Sequence, residues 1–425
     1  MQFMLCRGFF APIAGACLLM SAKNVCGQEA LRISMTGDLA AASQRQNSSS
    51  IGYYNLLTGP VAWRFSSGLG LQFNDNVRLA PHAESDLIFQ PSLNTEMHWP
   101  VTLKNSLDFS LGVGYSAYLQ HQDLRQFFIT PGSGISFDVY VGDFKINLHD
   151  RINITENAYE NAGSGNNQNL VSLQNTIGTG VLWDLDKVVA NFGYDHVNYL
   201  SLSQYRGEPD AASENISGNL GLRLRPELMT GVEAGGTLIN YSQSGQSQSL
   251  PTPDALQWNA GFFASAQLSD YLSTRLDAGY TVYTPDNTAT NLLTQDSSGL
   301  YLSLSLSHRV NEHINYSLTA GRSTDLAAYG QAQSYYFVRL QPNWNFFKNY
   351  SLSTPFSWQQ GTRLYNTKVS GSADYTQFSQ GINISRQLTQ KLSSSLGYQY
   401  VEQTSGQAGL NYTANIVSLN FSYRF

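Results

Sequence analysis

The sequence has few charged residues and almost no cysteine. Asp, Glu, Lys and Arg together make up 13% of the 425 residues, whereas soluble globular proteins carry about a quarter. The three cysteines, Cys6, Cys17 and Cys26, all lie within the first 27 residues. If a leader containing them is removed, the remaining chain has no thiol. That would exclude disulfides, thiolate catalysis and cysteine-based metal sites together.

Long apolar runs are also missing after the N-terminus. The mean hydropathy is -0.25, and no later stretch reaches the roughly 18 consecutive apolar residues that a membrane helix needs. The net charge of -6 is spread along the chain without a basic cluster, which argues against a nucleic-acid-binding surface. No shift in composition divides the chain after its N-terminal part, so one large domain is expected.

The N-terminus has the pattern of a secretory signal peptide. Arg7 gives a positive n-region, residues 8–20 an apolar h-region, and Val25-Cys26-Gly27 a cleavage site of small residues. Cys17 could instead be a lipid-attachment site, but the apolar residues directly after it favour the signal peptide. We therefore expect a signal peptide at 1–27, a flexible periplasmic segment at 28–60 and a barrel domain at 61–425. A short plug or docking arm is the alternative for 28–60.

The C-terminal residues alternate strictly between apolar and polar side chains. Val417, Leu419, Phe421, Tyr423 and Phe425 share one face of a strand, and Ser418, Asn420, Ser422 and Arg424 share the other. The same alternation recurs along the chain in segments of about ten or more residues, long enough to cross a bilayer as tilted strands. The aromatic positions Phe421, Tyr423 and Phe425 also resemble the signal that the barrel assembly machinery recognises.

The connections between these segments alternate between short and long. Eight short turns, such as Val141-Gly142-Asp143-Phe144 and Leu185-Asp186-Lys187-Val188, alternate with nine long connections rich in Gly, Asn, Ser and Pro. This predicts an all-β fold, a transmembrane antiparallel β-barrel of about 18 strands (range 16–18), with short periplasmic turns and long extracellular loops. The expected location is the bacterial outer membrane, with membrane lipid around the barrel.

The polar face of the strands should line the lumen. Alternate residues of a strand point to opposite faces, and we call the face on which a residue falls its strand parity. Strand parity places twelve charged residues on the polar face as candidates for the pore lining: Arg64, Asp108, Asp138, Lys145, Arg151, Asp195, Arg223, Glu233, Arg275, Asp277, Arg309 and Arg339. Because both signs are present, we predict a hydrated pore with weak ion preference. The alternative for any one of these residues is that it pairs across strands and only stabilises the wall.

Two further predictions concern the apolar face. Aromatic residues near strand ends are typical of interfacial girdles: Trp63, Trp99, Tyr118, Trp183, Tyr194, Tyr271, Tyr283, Tyr350, Trp358, Tyr398 and Tyr423. Asp150 breaks the pattern, because its parity places a carboxylate against lipid. A local bulge, or pairing with Arg151 or His149, would relieve that cost.

No catalytic or cofactor site is predicted. The seven histidines are scattered over different segments, and no Gly-x-Ser-x-Gly signature accompanies them. Asp75, Glu84 and Asp86 lie close in sequence but lack the spacing of a calcium-binding loop. We therefore expect a protein that is not an enzyme, without a metal or a cofactor.

Residues 68–77, followed by residues 85–93 and the strand from Leu107 to Tyr118, resemble the opening of a family of outer-membrane β-barrels associated with exopolysaccharide synthesis and export. Asp75, Asn76 and Pro91 are the positions that fit that family's first hairpin. The resemblance covers about 50 residues in detail and the rest only as architecture. It implies a place among polysaccharide or export-complex proteins, and no catalytic role for the matching residues.

Two functions follow as hypotheses. The first is a porin-like channel that passes hydrophilic solutes or assists export of a surface polysaccharide. The second is a closed scaffold barrel that docks an envelope partner through its loops or its N-terminal segment. The substrate, the pore radius and the oligomeric state are left open by the sequence.

Overall fold

The computed structural model describes residues 54–156, 171–202, 210–242, 254–286, 297–326, 332–347, 349–364, 372–406 and 410–425. The predicted signal peptide and residues 28–53 of the predicted periplasmic segment lie outside these residues. In the described part of the chain, no helix is long and apolar enough to span a membrane.

Strand segments make up nearly all of the described structure. The first half contains β1 (Leu56–Thr58), β2 (Val61–Asn74), β3 (Asp86–Pro100), β4 (Ser106–Tyr118), β5 (Gln126–Ile129), β6 (Gly134–Val141), β7 (Phe144–Glu156), β8 (Val171–Asp184), β9 (Val188–Ser201), β10 (Asp210–Arg225) and β11 (Leu228–Ser242). The second half contains β12 (Ala255–Ser269), β13 (Leu272–Pro285), β14 (Ser297–Arg309), β15 (Ile314–Leu326), β16 (Ala332–Phe346), β17 (Tyr350–Ser353), β18 (Phe356–Leu364), β19 (Ser372–Gln387), β20 (Leu392–Ser405) and β21 (Tyr412–Arg424). One 3-10 turn, Gln122–Leu124, lies between β4 and β5.

The strands form one closed antiparallel wall. Segments β5 and β6 are two parts of one wall strand, as are β17 and β18, because each pair lies between the same two neighbours. With each pair counted once and the short β1 left aside, the wall has 18 strands. The last strand pairs with the first long one, from Ser66 opposite Arg424 to Asn74 opposite Ile416. The predicted 18-stranded barrel is confirmed.

Two prolines explain the interrupted strands. Pro131 and Pro355 have no N–H to give to the ladder, so each ends the regular pairing of its strand. Around Pro131 the backbone still satisfies its hydrogen bonds, because Thr130 donates to the Gly112 carbonyl at 2.9 Å and Ile152 donates to the Ser133 carbonyl at 2.9 Å. The wall therefore stays closed across both breaks.

The outer face of the wall is apolar. Leu300, Leu302 and Leu304 on β14 are 63%, 50% and 40% exposed, which fits side chains that are covered by acyl chains rather than by protein. The opposite face carries mostly Ser, Thr, Asn and Gln. An apolar exterior around a closed wall is the arrangement of a transmembrane barrel of the outer-membrane type.

The aromatic girdle prediction is wrong at two positions. Phe144 and Trp183 stack on the outside, with ring centroids 5.3 Å apart. Tyr118 and Tyr283, however, are only 3% and 4% exposed and lie on the inward face. Their strand parity matches the inward residues of β4 and β13, and they pack among other buried side chains.

The aromatic residues at the C-terminus lie on the outer face. Tyr423 and Phe425 form an edge-to-face contact with centroids 5.5 Å apart. The Phe425 N–H donates to the Phe65 carbonyl at 3.3 Å. Asn55 Nδ2 donates to the carbonyl oxygens of both Phe65 and Phe425. These contacts lie at the seam where β2 and β21 close the barrel.

Candidate pore lining and mouth

All twelve predicted lumen residues lie at positions that alternate with the outward apolar side chains of their strands. Most of them have a partner on the same wall. Nine of the twelve lie within 3.5 Å of a wall side chain that can carry the opposite charge.

Three pairs lie toward the short-turn end of β2 to β7. Arg64 forms an ion pair with Glu96 on β3. Asp108 accepts a 2.6 Å hydrogen bond from the His98 ring. Asp138 is 3.4 Å from Lys145 and accepts a 2.6 Å hydrogen bond from the Asn147 amide.

Further pairs continue around the wall. Asp195 is 2.8 Å from His149 Nε2, and both side chains are largely buried. Arg223 reaches Asp184 at 3.5 Å in a more exposed pair near the turn. Arg151 occupies an inward position opposite Thr176.

The most enclosed group lies on β11, β13 and β14. Arg275 is 3.2 Å from Glu233 and 2.7 Å from Asp277, and the three side chains are 12%, 6% and 10% exposed. The Tyr301 hydroxyl donates to the second Glu233 oxygen at 2.7 Å. The Arg275 guanidinium also lies 4.6 Å from the centre of the Phe263 ring. Together these contacts hold Arg275 flat against the wall.

The two remaining arginines lie over aromatic rings. Arg309 is 5.1 Å from the centre of the Tyr271 ring, and Arg339 is 5.3 Å from that of Phe337. Such contacts hold a guanidinium along the wall rather than across the lumen.

The first loop, between β2 and β3, folds into the barrel, which the sequence did not predict. Val77 and Leu79 are 2% and 1% exposed. Leu79 packs with Val401, Tyr412 and Ala414 on β20 and β21. Val77 packs with Ile88, Tyr118 and Leu124 on the other side. The loop therefore narrows the mouth of the barrel at the end with the long connections.

Asp75 and Asn76 fix this loop to the last strand. The Asp75 carboxylate accepts two hydrogen bonds from Asn415, from its backbone N–H and its side-chain amide, both at 2.7 Å. Asn76 Nδ2 donates to the Thr413 carbonyl at 2.9 Å and to that of Ala80 at 2.8 Å. The residues that carry the family resemblance thus anchor the loop to β21.

Pro91, the third of these residues, lies on the outer face of β3 opposite Leu69. The pairing between β3 and β4 has a gap at Gln90 and Pro91 and resumes in the same register at Ser92. The missing N–H of proline accounts for the gap.

A charged cluster lies next to the inserted loop. Arg78 is 2.9 Å from Glu84 and 2.8 Å from Asp123. The His121 ring reaches Glu84 and the fully buried Asp86, both at 3.0 Å. Asp86 also accepts hydrogen bonds from the backbone N–H groups of residues 119–121. This cluster joins the first loop to the connection between β4 and β5.

The Arg78 guanidinium lowers the pKa of two carboxyl groups in this cluster, those of Glu84 and Asp123. Its hydrogen bond lowers the pKa of the Glu84 carboxyl below the ordinary value of 4.5. At Asp123 burial alone would raise the pKa, but the hydrogen bond and the charge of Arg78 outweigh it and lower the pKa. Both carboxyls are therefore ionised at neutral pH.

A signal for the inserted loop was present in the sequence. Inward positions near the long-loop end change from polar to apolar, as at Ile88, Val401 and Ala414, all of which are buried. An apolar patch on the water-facing side of a barrel wall is stable only when it is covered, and Val77 and Leu79 cover it.

Among the described residues, no group of three or more His, Cys, Asp or Glu side chains could hold a metal ion.

No protein-family model matches the sequence, and no curated protein matches it. Solved structures with a similar barrel include OccK5 (OpdH) of Pseudomonas aeruginosa, with a TM-score of 0.49, 10% identity, and coverage of 86% of this chain and 98% of that chain. For the outer membrane protein OpdK of the same organism, the TM-score is 0.46 and the identity 11%, with coverage of 85% of this chain and 98% of that chain. For OccAB3 of Acinetobacter baumannii, the TM-score is 0.47 and the identity 11%, with coverage of 85% of this chain and 99% of that chain. The assignment of a closed barrel rests on the strand pairing.

Proposed function

We propose that this protein is an outer-membrane channel for hydrophilic solutes whose mouth is narrowed by its own first loop. The observation that carries the proposal is the contrast between the two faces of the closed wall. The outer face is mostly apolar, whereas the inner face is lined with polar and paired charged side chains. A barrel of about 18 strands is too wide for wall side chains alone to fill, so water can occupy the remainder.

The paired lining supports weak ion preference. Arg64, Lys145 and Arg275 each contact a carboxylate on the wall, so little uncompensated charge faces the lumen at these positions. Selectivity would then arise mainly from the width of the mouth, where Val77 and Leu79 lie.

Planar-bilayer recording tests the proposal. The purified protein should insert and give ohmic steps that discriminate poorly between K⁺ and Cl⁻. The double variant Asp75→Ala, Asn76→Ala, which frees the first loop from β21, should give larger steps. The matched control Asp270→Ala alters an exposed residue in a short turn and should leave the step size unchanged. A folded protein that leaves the membrane silent at all voltages would overturn the channel and favour a closed scaffold barrel.

The resemblance of the first hairpin to exopolysaccharide-associated barrels suggests a more specific cargo, a surface polysaccharide in transit to the exterior. Deletion of the gene should then trap polymer in the periplasm and deplete it from the cell surface. Complementation with the wild-type chain should restore the surface polymer. Unchanged surface polysaccharide in the deletion strain would exclude this cargo while leaving the solute channel standing.

A further inference from the structure

Arg386 is a cation on the lipid-facing side of the barrel, near the short-turn end of β19. It shares its strand parity with Ile382 and Ile384, which are 44% and 41% exposed. Its guanidinium lies over the Tyr350 ring on β17, 4.9 Å from the ring centre. Among the residues that the structure describes, Arg386 forms no salt bridge. A charged group on the lipid-facing side therefore has no carboxylate partner in the described wall.

Asp150, another ionisable residue of the lipid-facing side, has its partner within the wall. The Asn175 amide donates to the Asp150 carboxylate at 2.6 Å, and the pairing of β7 with β8 continues through Asp150 without a register break. The expected bulge and the expected pairing with Arg151 or His149 are therefore both wrong, and Asn175 is the partner. In the described part of the chain, Arg386 has no hydrogen bond of this kind, so its counterion has to come from its surroundings.

Aromatic side chains place Arg386 at the boundary between the apolar belt and water. Trp344 and Phe346, on the outward face at the short-turn end of β16, have ring centroids 5.2 Å apart. Phe346 stacks on Tyr350 at 5.7 Å, and Phe347 in the following turn is 85% exposed. Aromatic belts of this kind lie at the headgroup level of a bilayer. The Tyr350 ring therefore holds the guanidinium at the depth of the lipid phosphates.

The charge of the short turns differs between two sectors of the barrel rim. The three turns from β16 round to β4, at residues 347–349, 388–391 and 101–105, each contain one lysine and no acidic residue. The other five turns, from β6 to β15, each contain an acidic residue: Asp143, Asp186, Glu227, Asp270 and Glu312. Arg386 therefore lies in the basic sector of the rim, and a basic surface next to a membrane attracts anionic headgroups.

A guanidinium and a phosphate group match in both charge and geometry. A guanidinium stacked on a ring keeps the N–H groups at its edge free to donate two parallel hydrogen bonds to phosphate oxygens. Ser394, directly opposite Arg386 on β20, adds a hydroxyl on the same outward face. We propose that Arg386, held on Tyr350, binds the phosphate of an anionic phospholipid in the leaflet next to the short turns. The site depends on the position of the barrel in the membrane and not on whether its lumen conducts.

Native mass spectrometry of the purified barrel in detergent, titrated with phosphatidylglycerol, tests the site. The wild type should retain one phosphatidylglycerol molecule, and several-fold less of the zwitterionic phosphatidylcholine at the same concentration. Arg386→Gln should weaken the binding of phosphatidylglycerol by at least about tenfold, because a charge-assisted contact is lost. Arg386→Lys keeps the charge without the planar fork and should give an intermediate affinity.

Arg225→Gln is the matched control, because Arg225 is an exposed arginine at the short-turn end of β10 in the acidic sector. This variant should bind phosphatidylglycerol as the wild type does. Undiminished binding by a folded Arg386→Gln protein, an equal loss in Arg225→Gln, or equal retention of the two lipids would each overturn the proposal. Displacement of the lipid by an excess of inorganic phosphate would show a site for free anions and would overturn it as well.

Fluorescence quenching tests the location of the site in a bilayer. In phosphatidylcholine vesicles, a small fraction of brominated phosphatidylglycerol should quench Trp344 more than the same fraction of brominated phosphatidylcholine. Trp344→Phe should remove this excess quenching, whereas Trp183→Phe, which changes an outward tryptophan at the short-turn end of β8, should leave it unchanged. Arg386→Gln should also remove it. No excess in the wild type, or an excess that persists in Arg386→Gln, would contradict the site.

Discussion

Asp75 in the first loop and Asn415 in the last strand are 340 positions apart in sequence, yet the Asp75 carboxylate accepts two 2.7 Å hydrogen bonds from Asn415. Because β21 also closes the barrel against β2, this contact joins the inserted loop to the barrel seam. The position of the loop therefore depends on closure of the wall.

Replacing Asp75 should release the loop. Hydrogen bonds to a charged group contribute about 1.5–3 kcal/mol each to stability, so Asp75→Ala should favour local opening by at least about tenfold. In a cysteine-free background, a thiol at Leu79→Cys should react with maleimide correspondingly faster when Asp75 is also changed. Asp270→Ala serves as the control, and equal labelling rates in both backgrounds would show that Asp75 does not hold the loop.

Lowering the pH should also weaken the contacts that hold the first loop at the mouth of the barrel. The pKa values of Glu84 and Asp123 are lowered in the folded protein, so their contacts with Arg78 stabilise the closed loop above the ordinary carboxyl pKa values. That stabilisation is fully present above the ordinary pKa values of 4.5 and 3.8 and is lost as the pH falls below them, through the lowered pKa values of the folded protein. Both carboxyls are partly exposed, so the effect is local rather than global.

A fluorophore on Ala83→Cys, in the exposed part of the loop, measures this change. Its anisotropy should fall as the pH is lowered through that window. In Arg78→Gln the anisotropy should already be low at neutral pH and should vary little with pH. A wild-type protein with constant anisotropy from about pH 7 to about pH 3 would refute the role of Arg78.

The barrel itself could be predicted from the sequence because its evidence is local. In the run from Val417 to Phe425 the period of two alone identifies the outward face, and Val417, Tyr423 and Phe425 are exposed there. The eight short turns were equally readable, since each has few residues and joins strands that pair directly.

The apolar inward residues at the mouth are readable in the sequence, but the segment that covers them is not, because it is determined by contacts between distant parts of the chain. Tyr118 and Tyr283 are among the readable residues, because the alternation along β4 and β13 already places them on the inward face, where they are 3% and 4% exposed. The parity of Asp150 was correct, but its partner Asn175 lies 25 residues away across a long connection. Strand parity gives the face of a residue, whereas its partner depends on the register.

Arg275, the enclosed arginine on β13, should contribute both to the stability of the barrel and to its ion selectivity. Arg275→Met keeps much of the side-chain volume but leaves Glu233 and Asp277 without their cation. Breaking a buried ion pair costs about 3–5 kcal/mol, so the temperature at which the barrel unfolds in detergent should fall clearly. The lining would also become more anionic, and the reversal potential in a KCl gradient should shift toward cation preference.

Arg223→Met is the matched control for that change. Its pair with Asp184 is more exposed, with side-chain exposures of 33% and 48%, and such pairs contribute about 0–1 kcal/mol. Little change in unfolding temperature is expected. If the two variants lost equal stability, burial of the Arg275 cluster would not be the cause.

Inward glycines make room for the aromatic side chains of the wall, and Gly221 is one of them. A Cβ at this position would lie 2.9 Å from Met229 Sδ and 3.1 Å from Phe263 Cζ. Phe263 is 2% exposed, so its ring has little freedom to move away. Gly221→Ala should therefore destabilise the barrel by about 1–3 kcal/mol through overpacking.

The double-mutant cycle with Phe263→Leu isolates this contact, because leucine lacks the Cζ atom. The cost of Gly221→Ala should shrink in the Phe263→Leu background, giving a measurable coupling in unfolding experiments. Gly218→Ala, on the outer face of the same strand, would meet only the Asn191 carbonyl at 3.8 Å and should be tolerated. Additive effects of Gly221→Ala and Phe263→Leu would mean that the ring does not determine the need for glycine at 221.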